Sequence, residues 1–284
     1  MKRGWLLNLI LLAAVAALGW LAWSTPSRDE LASRPLTSLK PSQVGHVSLQ
    51  RPKQPDLKLE RSGKHWMLIA PVRARADDFQ VLRMLTILEA RPTARLPAVD
   101  LARFDLQSPT AVLTVDQQKF AFGSINTVTR EQYVLHDGTV YAVELRHGAA
   151  LPADAGALIR RVLLAENEQP VVITLPEFSV RKSDGKWAMV PSVAGTGQDD
   201  LQRYVDLWRY ATAATAEPYD GRKPLGDIRI TLTGGAILEL GILQREPQLV
   251  LWRRDIDLQY LFAAAAGRTL LRNPATPDVA EKQQ

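Results

Sequence analysis

Cysteine is absent from the 284 residues, which excludes a disulfide framework, a thiolate metal site and a cysteine nucleophile. Histidine is scarce, and His46, His65, His136 and His147 form neither an HExxH motif nor a close pair. Neither GxGxxG nor GxxxxGK(S/T) occurs, so the sequence has no glycine loop to cradle a phosphate. The nucleophile elbow GxSxG is also missing, because Gly123-Ser124 lacks the second flanking glycine. No stripe of Lys and Arg interleaved with aromatics is present, which argues against nucleic acid as a partner. What remains is a composition of 46% apolar and 23% charged residues with a net charge of +5, the balance of a chain with an ordinary core.

One long apolar run stands out. Trp5 to Trp23 carries no charge over 19 residues, follows Lys2 and Arg3, and precedes the polar Ser24-Thr25-Pro26. As a helix it covers roughly 28 Å, close to the hydrocarbon thickness of a bilayer. Trp5, Trp20 and Trp23 lie towards its ends, where aromatic rings favour the interface, and the basic N-terminus stays inside. The expectation is a single-pass inner-membrane protein, N-terminus cytoplasmic and bulk periplasmic, with an anchor over 1–24 and a stalk over 25–43. The competing reading is a cleaved signal peptide, for which Ala22 and Ser24 offer a small-x-small site.

Past the stalk the sequence repeats itself. His46-Val47-Ser48-Leu49 leads to Leu57-Lys58-Leu59-Glu60, a Ser62-Gly63 turn, Trp66 and Pro71, then Asp77-Asp78 before a helical stretch. Val172-Ile173-Thr174-Leu175 leads in the same order to Phe178-Ser179-Val180, an Asp184-Gly185 turn, Trp187 and Pro191, then Asp199-Asp200. The period-two alternation around each turn predicts a hairpin with one buried face. The helices carry Phe79, Leu82, Leu85 and Leu88 in one copy and Leu201, Tyr204, Val205 and Trp208 in the other, at spacings that predict a buried stripe. Four short strands follow each helix: Ala111–Val115 answers Ile228–Leu232, Phe122-Gly123 answers Leu240-Gly241, Gln132–Leu135 answers Gln248–Leu251, and Val140–Val143 answers Leu258–Leu261. The fold class predicted is α+β, with tandem repeats over 44–165 and 166–272 and a disordered tail over 273–284. Pro152 to Leu164 is expected to be a helix joining the copies, with Ala263 to Leu271 in the equivalent place at the end.

These motifs carry a family resemblance. The Gly63-Lys64-x-Trp66-x-Leu68 pattern, Pro71, the acids before the helix, the turn Phe104-Asp105-Leu106-Gln107-Ser108-Pro109, Phe122-Gly123, and Tyr133-Val134 followed by Val140-Tyr141 resemble the bacterial envelope proteins catalogued as domain of unknown function 4340. The likeness covers about Val44 to Leu164 well and the second copy more loosely. Members usually carry Gly where this chain has Asp105. Some relatives are encoded beside gliding-type ABC transporter components, and the resemblance implies an accessory role at the membrane.

The candidates for chemistry are few. Asp77, Asp78, Asp199 and Asp200 are the sharpest candidates for paired carboxylates, yet acids in a first helical turn also cap backbone N–H groups and complement the dipole. Arg253-Arg254 and Arg160-Arg161 read as solvated faces or as contacts to lipid headgroups or an acidic partner. Trp66 and Trp187 read as core. The expectation is a non-catalytic, cofactor-free interaction module that serves as accessory subunit or scaffold of an envelope or transporter-type membrane complex. Exposed edge strands offer one way to accept a partner. Two alternatives stay open: a small molecule, lipid or glycan bound between the repeats, and an envelope hydrolase built on the Asp pairs.

Overall fold

A computed structural model of the protein describes residues 11–20 and 35–276. Residues 11–20 are helical and exposed; the rest of the apolar run Trp5–Trp23, the stalk up to residue 34 and the tail from residue 277 lie outside the described residues. Among the described residues no helix is long and apolar enough to cross a membrane.

The chain is a mixed α/β structure with two antiparallel sheets and few helices. The first copy contains β1 (His46–Gln50), the hairpin β2 (Leu57–Ser62) and β3 (His65–Ala70), and the two-residue β4 (Ala74–Arg75). Helix α1 (Asp78–Leu85) follows, then β5 (Ala94–Pro97), the strands β6 (Ala111–Val115), β7 (Gln118–Asn126), β8 (Glu131–His136) and β9 (Thr139–Glu144), and the single-turn α2 (Arg146–Ala149). The second copy runs β10 (Pro170–Thr174), β11 (Ser179–Ser183), β12 (Lys186–Val190), α3 (Gln198–Arg209) and β13 (Thr215–Pro218). It ends with β14 (Gly226–Leu232), β15 (Ile237–Gln244), β16 (Leu249–Arg253), β17 (Leu258–Phe262) and α4 (Ala264–Leu271). One sheet has the order β4-β3-β2-β1-β6-β7-β8-β9-β5 and the other β12-β11-β10-β14-β15-β16-β17-β13. Strand for strand the orders correspond, with β4 as the one addition. The strands after the helices, β5 and β13, return to the far edge and were not anticipated from the sequence.

By its internal contacts the chain divides into two compact units, 1–56 with 82–151 and 57–81 with 152–284. The division does not follow the sequence repeat, since the first hairpin falls with the second copy. Within the first unit Leu49, Leu113, Phe120, Phe122 and Val134 are buried on one sheet face. Within the second, Ile173, Ile230, Leu240, Leu251, Trp208 and Phe262 form the corresponding core. Alternation explains both, because every second side chain of a strand meets the same face.

Two expectations need correction. The stripe of α1 is Val81, Met84, Leu85 and, past the helix end, Leu88, whereas Phe79 and Leu82 are exposed. The phase is set at the first turn, where the Asp78 side chain accepts a hydrogen bond from Trp66 N–H at 2.8 Å and so faces the hairpin. Positions three and seven residues later then share that side. The segment Pro152–Leu164 is not a helix but an irregular turn followed by extended chain. Asp154 caps Ala157 N–H at 3.0 Å, and the extended part pairs on both sides. Asp77 N–H donates to Leu158 O and Arg160 N–H to Arg75 O, while Leu163 N–H donates to Ala211 O and Ala213 N–H to Arg161 O. The backbone groups a helix would have satisfied internally are satisfied by these neighbours. Helix α4, by contrast, lies where the sequence placed it. It presses Gly267 so close to β16 that a Cβ there would stand 2.5 Å from Leu249 Cβ.

Candidate functional site

One acid of each pair, Asp77 in the first and Asp200 in the second, bonds the backbone at the start of its helix. Asp77 Oδ1 accepts from Phe79 N–H at 3.0 Å and Gln80 N–H at 3.4 Å, and Asp78 is bound to Trp66 N–H with His65 Nδ1 2.8 Å from its other oxygen. Asp200 accepts from Gly197 N–H at 3.0 Å and pairs with Arg203; the backbone bond first, and Arg203 second, hold its carboxyl below the usual range. Asp199 lies exposed in the first turn of α3. The role Asp78 plays in the first copy falls to Gln198 in the second. Its carboxamide accepts from Trp187 N–H at 2.8 Å and donates to Trp187 O at 2.6 Å. Trp187 does not bond β11 through these groups, so Gln198 covers the open edge of β12 near its start.

Among the described residues no group of three or more His, Asp or Glu side chains could hold a metal ion. The histidines lie apart: His136 stacks on Phe120 at 4.3 Å, and His147 is buried beside Thr86 Oγ1 at 3.2 Å. Burial first, then Arg146, lowers the pKa of His147 against the opposing pull of Glu144.

Arg253 departs from the solvated face expected of it. It is 7% exposed and its guanidinium is fully engaged: Nε and Nη2 donate to Asp255 at 3.0 Å, Nη1 donates to Leu163 O at 2.7 Å, and both Nη atoms reach Glu168 at 2.9 and 2.5 Å. Burial alone would lower its pKa, but the bonds from Asp255 and Glu168 outweigh that and raise it. Arg253 therefore clamps the segment 163–168 to the turn after β16. A headgroup could not reach it without breaking that node. Arg254 points the other way along the strand and remains half-buried, paired with Asp227 and with Glu239 at 3.4 Å and set over the Trp252 ring at 5.2 Å.

Arg254 borders the outer face of the second sheet. The registers place Asp227, Arg229, Glu239, Trp252, Gln259 and Glu217 together there. Tyr219 stacks on Trp252 at 3.9 Å, Trp252 Nε1 donates to Asp257 at 3.1 Å, and Arg229 pairs with Glu239 at 3.3 Å. The matching face of the first sheet holds Val112, Ala121, Leu135, Val140 and Leu96 instead, sealed by Phe104 and Leu106 from the loop after β5. In both copies the loop presses on a strand glycine: a Cβ on Gly123 would stand 2.1 Å from Phe104 O, which excludes a side chain, and one on Gly241 would stand tightly, 3.1 Å from Pro224 Cγ.

The second unit also holds a half-open cavity of about 650 Å³. Its walls come from three segments distant in sequence, β3–β4 with Met67, Val72 and Arg75, the linker with Arg160 and Val162, and the start of β17 with Leu258 and Tyr260. Sequence reasoning missed it because nothing local ties these segments together.

The family profile described as Domain of unknown function (DUF4340) matches residues 66–219, more than half of the chain. No curated protein and no solved structure matches it. From the hairpin tryptophan Trp66 to the stacked Tyr219 at the start of the second outer loop, this chain belongs to the DUF4340 family.

Proposed function

We propose that the protein is a non-catalytic binding module, tethered by the apolar run Trp5–Trp23 with its bulk outside the cytoplasm. It serves as accessory subunit of an envelope membrane complex of transporter type. The observation that carries this reading is the contrast between the outer sheet faces. The first copy spends that face on an apolar seal, and the second keeps it polar, with the Tyr219–Trp252 stack, Arg229, Glu239 and Arg254 at its surface. An aromatic pair ringed by charges of both signs is the chemistry of a protein contact. The acids support the same reading, since Asp77, Asp78 and Asp200 are each engaged by backbone N–H groups.

The test is photo-crosslinking in living cells, with a crosslinking residue in place of Arg229 in one strain and of the exposed Lys119 on the first copy in another. Capture of the same integral membrane protein from position 229 and not from position 119 is expected. Equal capture from both positions, or none from 229, overturns the reading.

A further inference from the structure

We propose that the cavity of the second unit binds an amphipathic anion, an apolar chain that ends in a carboxylate or phosphate. Its volume of about 650 Å³ lies within the roughly 300–1,000 Å³ of small-molecule sites. Met67, Val72, Ala74, Val162 and Leu258 give it apolar walls. What the polar groups lack is an acceptor. Arg75 Nε is buried without a hydrogen-bond partner. The hydroxyl of Tyr260, a residue 3% exposed, meets no partner among the described residues. Arg73, exposed at the rim, pairs with no acid among them.

The other charges on the wall are already spoken for. Arg160 pairs with Glu166 at 3.1 Å, Arg253 holds Glu168 and Asp255, and Asp257 accepts from Trp252 Nε1. The donors left unmet are therefore Arg75 Nε, whose Nη2 is already held 2.9 Å from the His65 ring, the exposed Arg73 guanidinium and the Tyr260 hydroxyl. A buried donor is stabilised by an acceptor, and a guanidinium matches the oxygens of a carboxylate or phosphate. Burial pushes the Tyr260 hydroxyl up to about 12, so it remains a donor at neutral pH. A cation would face four arginines against two acids, Asp255 and Asp257, that are already bonded to Arg253 and Trp252, and a wholly apolar ligand would leave the donors unmet.

This site is separate from the outer sheet face, so either reading can fail without the other. The experiment uses the full chain in nanodiscs of zwitterionic lipid and three photoreactive probes: a diazirine-bearing fatty acid, the fatty alcohol of the same chain, and a diazirine-bearing phosphatidic acid. Mass spectrometry locates the labels. Label from the fatty acid on the peptides around Met67–Arg75 and Leu258–Tyr260, with much less from the alcohol, is the expected result. Label from the phosphatidic acid alone also supports the proposal and assigns the anion to a membrane lipid. Arg73→Ala combined with Tyr260→Phe should lower labelling about tenfold or more, the scale of one charge-assisted hydrogen bond. Equal labelling by acid and alcohol, or labels away from these segments, overturns it on the unsubstituted protein.

Discussion

The outer faces of the two sheets share a strand order and differ in chemistry. In the first copy Phe104 lies 4.7 Å from Tyr133 over an apolar cluster, while in the second Tyr219 lies on Trp252 amid charged side chains of both signs. The inner faces carry an alternating apolar core in both, to which the second adds the buried Arg253. The difference teaches that inner-face alternation fixes this topology and leaves the outer face free to become either a seal or a surface. Arg253 and Arg254 show the same division within one strand end, the first locked inward and the second turned out.

The largest expected effect separates those two arginines. Arg253→Met strands Glu168 and Asp255 without their cation and should cost about 3–5 kcal/mol, the scale for breaking a buried ion pair. Arg254→Met removes half-exposed pairs and should cost about 1 kcal/mol or less. Urea denaturation of both variants measures the gap, and equal losses would erase the inward-outward distinction. Next, Phe104→Ala should destabilise the first unit by about 3 kcal/mol, the lower end for a buried phenylalanine. Tyr219→Ala should cost about 1 kcal/mol, the scale of an aromatic pair. If thermal melts rank them the other way, the second face is the sealed one. The smallest effect concerns the loop that makes the first seal. Asp105 has φ +53°, in the left-handed region, where glycine is the unstrained choice. Asp105→Gly should therefore stabilise the protein slightly, by about 0.5 kcal/mol, as relief of the Cβ strain outweighs the added freedom of the unfolded chain. Denaturation midpoints of the two proteins check the sign.

Hairpins, helices and the four-strand groups were legible because short-range alternation and turn residues encode them. Asp184 and Gly185 both take positive φ, as a type I′ hairpin turn requires. The linker was not legible: Leu158, Ile159, Leu163 and Leu164 are buried as a helix stripe would be, but Pro152, Asp154 and Gly156 break the first turn, and β4 on one side and the segment 211–213 on the other capture the backbone. Arg253 carried a signal that composition hid. Leu249, Leu251 and Arg253 alternate in phase on β16, so the arginine lies on the buried face and its neighbour does not. The cavity left no such trace, for its donors sit near residues 75 and 260 and only the folded chain brings them together.

The Gln198 carboxamide has a consequence for solubility. An open strand edge is a template on which a second copy of a chain can pair, and repeated pairing builds aggregates. At Trp187 both outward groups of β12 are already taken by a side chain that mimics a peptide and extends no further. A single amide therefore acts as a stop at that end of the sheet, and growth by strand addition there would first have to displace it.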